Sequence, residues 1–218
     1  MNFLDYLDSI APFSVLVYLI FRKSKMEGAF LWFIFFIVAL LFFNVTANLL
    51  VKVQFYFKKE RNNLIVYHIA CIAYFLLLLK FFSFLLRSVY SRIVDGLFIV
   101  LFFIAVAFDF SNWIKTPTFN SDTFGLASLW VIIKCLSYYA QKLIGPAYED
   151  ILKNRMFWII SGLFLYFSVS FFIFISYSLL SNSYNPNYNA PISYLWYLQN
   201  IILALSCSFF IKAIRCKP

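Results

Sequence analysis

The feature that most constrains this chain is a series of long apolar runs that contain almost no charged residues. The run 29–51 holds no Asp, Glu, Lys or Arg, and the runs 157–180 and 192–211 are equally free of charge. Because a helix needs about 20 mostly apolar residues to cross the hydrocarbon core of a bilayer, each run predicts one membrane-spanning helix. Seven spans are expected, at about 3–21, 29–51, 64–86, 93–113, 123–141, 157–180 and 192–211. The first is the weakest because its uninterrupted apolar stretch is short and Pro12 falls near its start, so six spans are the alternative.

These runs favour helices over the strands of a membrane β-barrel. Barrel strands alternate apolar and polar side chains over about ten residues, whereas a segment such as 32–37 is apolar on every side. Only 12% of the residues are charged, against about 25% in soluble domains. The sequence therefore predicts an all-α, polytopic transmembrane helical bundle that forms a single domain over 1–218. A soluble enzyme and a nucleic-acid-binding domain are excluded.

The basic residues predict the orientation of the bundle. The net charge is +9, and the Lys and Arg residues lie mostly in short runs between the apolar stretches. Cytoplasmic loops of membrane proteins are enriched in Lys and Arg. An outside N-terminus and an inside C-terminus place twelve basic residues inside and five outside, with the basic segment 52–61 as the exception. The expected location is a bacterial inner membrane, as a multi-pass protein.

Polar side chains inside the spans are the candidates for a functional site, because an unpartnered polar group in hydrocarbon is costly. With the N-terminus outside, most of them fall in the outer half of the bundle, and Lys134 lies roughly 15 Å into its span. This distribution predicts a ligand-binding pocket that opens toward the periplasm. Its expected residues are Asn44, Asn48, His68, Asp109, Lys134, Gln199 and Asn200.

Two interpretations of these residues stay open at this point. Asn and Gln side chains often only bind transmembrane helices to one another, and a Lys–Asp pair can be purely structural. Lys134 is the strongest candidate for a functional residue, because the side chain of a lysine in mid-span cannot easily reach the membrane–water interface. We expect Lys134 to face the bundle interior and to bond to Asp109, to Asn200 or to water.

The sequence shows no pattern for catalysis or metal binding. No GxSxG, HExxH or P-loop is present. A single histidine with scattered acids supplies neither a nucleophile–base pair nor paired carboxylates. His68 and Cys71 share a helical face, but two soft ligands without a third do not make a zinc site. No enzyme activity, metal or cofactor is therefore expected.

Four segments carry a resemblance to a known group of proteins. They are 154–168 (NRMFWIISGLFLYFS), 171–174 (FFIF), 195–200 (LWYLQN) and 12–21 (PFSVLVYLIF). With the span that holds Asn44 and Asn48, they make the chain similar to small seven-span integral membrane proteins of Bacteroidota, which are often encoded beside sensor histidine kinases. The resemblance implies an inner-membrane sensory or accessory protein, and no residue role is carried over from it.

The leading hypothesis is a non-enzymatic, receptor-like sensory or signalling-accessory module. Its outer polar pocket would bind a small molecule or lipid, and its basic cytoplasmic loops would contact a membrane or cytoplasmic signalling protein. The lipid bilayer is an expected partner, a homo-oligomer is a further alternative, and nucleic acid is not expected. The competing hypothesis is a transport or pore-forming subunit, or a membrane effector or scaffold of a defence or other multiprotein complex. With five Gly and six Pro, the long spans are unbroken, which counts against a transporter.

The aromatic residues predict where the outer membrane surface lies. Tyr and Trp rings concentrate at membrane–water interfaces, where one end of the ring is apolar and the other is hydrated. The residues expected at the outer interface are Trp113, Tyr184, Tyr194 and Trp196.

Overall fold

The computed structural model describes residues 6–22, 28–56, 64–115, 121–144, 151–182 and 189–216, and within these ranges every regular element is a helix. A short 3₁₀ turn at Ile151–Lys153 precedes the sixth helix. The α-helices are α1 (Leu7–Arg22), α2 (Ala29–Tyr56), α3 (Leu64–Leu85), α4 (Val89–Lys115), α5 (Ser121–Ile144), α6 (Arg155–Asn182) and α7 (Asn189–Arg215).

Six of these helices, α2 to α7, are long and apolar enough to cross a membrane, so this is a multi-pass membrane protein. Helix α1 has 16 residues, which at about 1.5 Å per residue is shorter than the roughly 30 Å hydrocarbon core. The all-helical prediction is confirmed, and the long apolar helices match the six-span alternative, with α1 as a shorter seventh helix.

Local sequence signals account for several helix ends. Gly28, directly before α2, has a φ of 56°, a left-handed conformation that glycine adopts without steric cost. Asn154 caps α6, because its Oδ1 accepts hydrogen bonds from the backbone N–H groups of Met156 at 2.8 Å and Phe157 at 3.3 Å. Ser88 caps α4 in the same way by accepting from the Ser91 N–H at 3.1 Å.

The helices form a ring of six with one helix outside it. Around the ring the order is α1, α2, α3, α5, α6 and α7, and α7 closes the ring by packing on α1. Helix α4 packs chiefly on α5, and its Phe102 ring stacks on Phe75 of α3 with centroids 4.0 Å apart. Helix α4 consequently exposes far more of its surface than the other long helices do.

The bundle has two chemically different ends. We call the end where α1, α3, α5 and α7 begin the polar end, and the opposite end the basic end. The described acidic side chains at the polar end are Asp8, Asp109 and Asp122, accompanied by Lys52. The described basic side chains at or near the basic end are Arg22, Lys80, Arg87, Arg92, Lys142, Lys153, Arg155, Lys212 and Arg215.

Phenylalanine rings fill the centre of the ring of helices on the side of the basic end. We call these residues the aromatic plug; they are Phe33, Phe36, Phe81, Phe167 and Phe210, all buried. The Phe33 ring lies 4.9 Å from that of Phe210 and 6.2 Å from that of Phe81, centroid to centroid. Phe36 reaches Phe167 at 6.4 Å. The plug therefore joins α2, α3, α6 and α7 in one packed layer.

One glycine makes this packing possible. A Cβ added at Gly162 on α6 would overlap the Phe210 ring of α7. Only a residue without a side chain lets the ring lie against the backbone of α6.

Candidate functional site

The first polar contact at the polar end joins α1 to α2. Asn44 Nδ2 donates to the Asp8 carbonyl oxygen at 2.8 Å. Asn48 Nδ2 donates to the Asp8 carboxylate, 3.2 Å from Oδ1, and lies 3.3 Å from Ser9 Oγ. The spacing of four residues puts both amides on one helical face, as the sequence indicates. Their common partner Asp8, at the start of α1, was not among the expected site residues.

The second contact joins α6 to α7. Gln199 Nε2 donates to Ser170 Oγ at 2.8 Å, and both residues are buried. Ser170 Oγ also donates to the carbonyl oxygen of Tyr166, one turn earlier on α6, at 2.7 Å, and the Tyr166 phenol interacts electrostatically with Gln199. Asn200 is half-buried and, as the next residue in the helix, points about 100° away from Gln199. The two neighbouring amides thus face different surroundings.

The third contact joins α4 to α5. Thr123 Oγ1, at the start of α5, donates a hydrogen bond to Asp109 Oδ2 near the end of α4. His68 on α3 is close enough to Asp109 for the two side chains to interact electrostatically. Asp109 therefore lies between two helices rather than alone among headgroups.

Three tyrosines of α3 and α6 lie within electrostatic range of Asp8. The Asp8 carboxylate interacts electrostatically with the phenols of Tyr67 and Tyr74 on α3 and of Tyr166 on α6. Each hydroxyl is deep among protein atoms, yet each side chain keeps part of its surface accessible.

We call this assembly the polar cluster. It draws on α1, α2, α3, α6 and α7, and Phe36 of the aromatic plug lies beneath it, 5.7 Å from the Tyr74 ring. Sequence analysis missed the tyrosines because they read as ordinary membrane aromatics, although Tyr67 and Tyr74 are seven residues apart and share a helical face. Its members are Asp8, Asn44, Asn48, Tyr67, Tyr74, Tyr166, Ser170 and Gln199.

Lys134 faces the interior, as expected, but its partner is a different acid. Only 1% of its surface is exposed, and its Nζ lies 2.6 Å from Asp95 Oδ1 on α4. The expectation of Asp109 or Asn200 as a direct partner was wrong. Asp109 lies fourteen residues beyond Asp95, about 21 Å along the helix, and the lysine side chain extends toward the basic end instead.

The surroundings of Lys134 satisfy its ammonium group. Besides Asp95, it donates to the Ser91 carbonyl oxygen at 2.9 Å and to Ser91 Oγ at 2.6 Å. Trp130, one turn before Lys134, donates its indole N–H to the same Asp95 oxygen at 3.1 Å. An ammonium has three N–H donors, and all three have an acceptor here. This arrangement, which we call the Lys134 latch, fastens α4 to α5 and lies outside the polar cluster.

The remaining expectations concern the aromatic belt and the basic segment. Tyr194 is 70% exposed at the polar end, whereas Trp196 packs against Tyr67 and Tyr177. The side chains of Trp113 and Tyr184 lie outside the described residues, and so do residues 57–61 of the basic segment 52–61. Its first residue, Lys52, places its ammonium 5.0 Å from the centroid of the Tyr6 ring.

No group of three or more His, Cys, Asp or Glu side chains suited to a metal ion occurs among the described residues. The polar end thus brings Asn44 and Asn48 to Asp8, pairs Gln199 with Ser170 and places His68 near Asp109. Comparison of the chain with protein-family models, with curated proteins and with solved structures finds no match.

Proposed function

We propose that this protein is a non-enzymatic, receptor-like sensory or signalling-accessory module of a bacterial inner membrane, and that the polar cluster binds a small polar ligand. The observation that carries the proposal is the collection of hydrogen-bonded polar side chains on five helices at one end of the bundle. Binding sites in helical bundles are built in this way, from side chains on facing helices.

The aromatic plug favours a receptor over a pore or transporter. A conducting pathway needs polar or charged groups through the full depth of the membrane. Below the polar cluster, Phe33, Phe36 and Phe210 occupy the middle of the ring with at most 1% of their surface exposed. A ligand in the cluster would therefore press on packed rings rather than enter a channel.

The contact between Tyr74 and Phe36 suggests how ligand binding at the polar cluster is transmitted to the basic end. Tyr74 belongs to the polar cluster and touches Phe36 edge to face. Phe33, one turn before Phe36, touches Phe210, which lies on the last turns of α7 near Lys212 and Arg215. Close-packed interiors have low compressibility and transmit strain from one side chain to the next. A shift at Tyr74 would thus reach the basic end.

The charge distribution supports an orientation with the basic end in the cytoplasm and a seven-helix chain with its N-terminus outside. Apart from Lys52 and Lys134, the described basic side chains lie at or near one end, and apart from Asp95 the described acids lie at the other. Cytoplasmic loops are rich in Lys and Arg. The basic end would then meet the acidic surface of a signalling partner, and the polar cluster would face the periplasm.

The test uses the full chain in two assays. In dye-loaded liposomes we expect no ion flux above that of protein-free liposomes, and flux would overturn the receptor assignment in favour of transport. In detergent, a panel of small amines, carboxylates, amino acids and sugars is screened for a rise in thermal midpoint. We expect one class to stabilise the wild type and not Gln199→Leu, with Ser83→Ala, an exposed serine near the basic end, as control. No stabilisation by any class would contradict ligand binding.

One observation favours the second candidate, a scaffold subunit in a complex. Helix α4 exposes Ile93, Leu97, Val100 and Ile104, each by about half or more, and their spacing of four, three and four residues is typical of helix–helix seams. Cross-linking of Leu97→Cys in membranes tests this candidate. A cross-linked product would support it, and a monomer under the same oxidant would oppose it.

A further inference from the structure

The exposed side of α7 changes character along its length. From Tyr194 to the end of the helix, the exposed residues recur every three or four positions, which places them on one helical face. This face, which we call the outer row, consists of Tyr194, Leu198, Ile201, Leu205, Ser208, Lys212 and Arg215. Because α7 packs between α6 and α1, the outer row is the side of α7 that meets the lipid. The row is mostly apolar, and it ends in two cations.

The length of the outer row matches the thickness of a membrane. Lys212 follows Tyr194 by 18 residues, which is about 27 Å along a helix, against roughly 30 Å for the hydrocarbon core. With Tyr194 at one membrane surface, Lys212 and Arg215 therefore lie at the depth of the lipid headgroups at the other. Their place on the flank of the bundle directs both cations at lipid rather than at a soluble partner beyond the basic end.

Aromatic rings hold both cations without neutralising them. The Lys212 Nζ lies 5.4 Å from the centroid of the Trp158 ring on α6. The Arg215 guanidinium carbon lies 5.4 Å from the centroid of the Tyr18 ring on α1, and its Nε donates to the Tyr18 hydroxyl at 3.1 Å. Within the described part of the chain, neither cation meets a carboxylate. The three ammonium N–H groups of Lys212 and the terminal NH₂ groups of Arg215 are therefore available to an anion.

A third cation serves the end of α7 itself. Basic side chains in the last turn of a helix often interact with its terminal carbonyl groups. Here Arg155, at the start of α6, donates from Nη2 to the Cys216 carbonyl oxygen at 3.4 Å, and its guanidinium carbon lies 4.5 Å from the centroid of the Phe30 ring. Arg155 is buried, whereas Lys212 and Arg215 are exposed. The two exposed cations are thus turned away from the helix end that Arg155 stabilises.

Exposed apolar side chains adjoin the cations. The Trp158 indole N–H donates to the Leu152 carbonyl oxygen at 2.7 Å, and the Leu152 side chain is 61% exposed. Leu205, two turns before Lys212 on the outer row, is 49% exposed. A molecule with an anionic head and apolar chains fits this surface, since its head meets the cations while its chains follow the apolar part of the outer row.

We propose that Lys212 and Arg215 bind the phosphate of an anionic phospholipid whose acyl chains lie along the outer row. Lys and Arg make charge-assisted hydrogen bonds to phosphate oxygens, and basic pockets between transmembrane helices bind anionic headgroups. A zwitterionic phospholipid is a poorer ligand, because the two cations repel its own ammonium group. The inference goes beyond the proposed receptor function, since the lipid site lies on the outside of the bundle and shares no residue with the polar cluster.

The experiment is native mass spectrometry of the full chain in detergent, titrated with dioleoylphosphatidylglycerol or with dioleoylphosphatidylcholine. The two lipids have the same acyl chains, and only the first carries a net charge. Each Lys or Arg near an anionic headgroup contributes about fivefold in affinity. We expect the first phosphatidylglycerol molecule to bind at least about fivefold more tightly than phosphatidylcholine. Equal affinities would overturn the inference.

Variants locate the site. Lys212→Gln is expected to weaken phosphatidylglycerol binding about fivefold, and Lys212→Gln with Arg215→Gln about 25-fold. Lys80→Gln with Arg87→Gln is the matched control, because it removes two exposed cations of the same end of the bundle that are not on the outer row. Thermal midpoints without added lipid show that each variant is folded. An equal loss in the control variant would mean general attraction to the basic end and would overturn the site.

Trp158 tests the aromatic support of Lys212. Trp158→Leu is expected to weaken phosphatidylglycerol binding about threefold, and Trp158→Phe, which keeps a ring face, less. Gln199→Leu in the polar cluster should leave lipid binding unchanged, so failure of the ligand screen and failure of the lipid titration are separate results.

Two competitors identify the source of the anion. Soluble glycerol phosphate and a polyglutamate peptide are each added to the phosphatidylglycerol complex. We expect neither to displace the lipid, because neither has acyl chains to lie on the outer row. Displacement by glycerol phosphate at equal concentration would assign the site to a soluble phosphate. Displacement by the peptide would assign it to an acidic protein partner, and both results would overturn the lipid assignment.

Discussion

The ammonium of Lys134 on α5 lies 2.6 Å from the carboxylate of Asp95 on α4. Both belong to helices long and apolar enough to span the membrane, where an isolated charge is costly. Helix α4 otherwise lies outside the ring of six helices and exposes most of its length. The ion pair, with Ser91 and Trp130 around it, is therefore a specific attachment of this outer helix to the bundle.

Removal of the Lys134 charge is expected to destabilise the protein. Lys134→Met leaves the Asp95 carboxylate, 14% exposed, without its cation, and breaking a buried pair on one side costs up to about 3–5 kcal/mol. Unfolding in mixed micelles and the thermal midpoint measure the effect. Lys80→Met, at an exposed lysine on α3, is the control. A Lys134→Met variant as stable as the wild type would show that the latch contributes nothing.

A double variant tests whether the attachment of α4 needs the Lys134–Asp95 ion pair itself or only the absence of an unpaired charge. Lys134→Met with Asp95→Leu removes both charges, and apolar replacement of a buried pair is often neutral or stabilising. We expect most of the stability lost in Lys134→Met to return. If the double variant is less stable than Lys134→Met alone, the pairing itself rather than charge compensation holds α4.

Asn48 is expected to attach α1 to α2 through Asp8. Asn48→Leu removes a hydrogen bond between helices, for which about 0.6–2 kcal/mol is typical in membranes. Asn48→Asp should be worse, since it places a second carboxylate beside that of Asp8. Thermal midpoints and protease cleavage near α1 report the change. The ranking is contradicted if the aspartate variant is the more stable of the two.

Gly162 is expected to tolerate no side chain. Gly162→Ala puts a methyl group into the Phe210 ring, and overpacking of a filled core costs about 1–3 kcal/mol. Gly125→Ala is the matched control, because a Cβ at this buried glycine meets no atom within 4 Å. Phe210→Leu combined with Gly162→Ala should recover part of the loss. Equal midpoints for the two single variants would argue against close packing of α6 on α7.

The orientation is testable by labelling from outside the cell. Tyr194→Cys lies at an exposed position of the polar end and Arg87→Cys at an exposed position of the basic end. With the N-terminus outside, a membrane-impermeant maleimide should label the first in intact cells and the second only after lysis. The native Cys71, Cys135 and Cys207 are buried, and the partly exposed Cys216 at the basic end is replaced by serine in both variants to remove its background. The reversed pattern would place the C-terminus outside.

The amino-acid sequence alone determined the membrane class, the helical architecture and the approximate position of each long span. These properties depend on local hydropathy, since a run such as 29–51 has no low-energy alternative to a membrane helix once its backbone must satisfy its own hydrogen bonds. The position of Asn44 and Asn48 on one face of α2 was likewise predictable from the sequence, because helical periodicity is a local property.

The partners of the polar residues were decided only by the tertiary structure. Depth along a span suggested Asp109 for Lys134, yet the side chain extends the other way, to Asp95, because the rotation of α5 about its axis turns it toward the start of α4. In the same way Asp8 meets Asn48 and, at longer range, Tyr74 and Tyr166 through the order of helices around the ring. Lipid is apolar on every side of a span, so hydropathy carries no information about which face turns inward, and packing settles which polar groups meet.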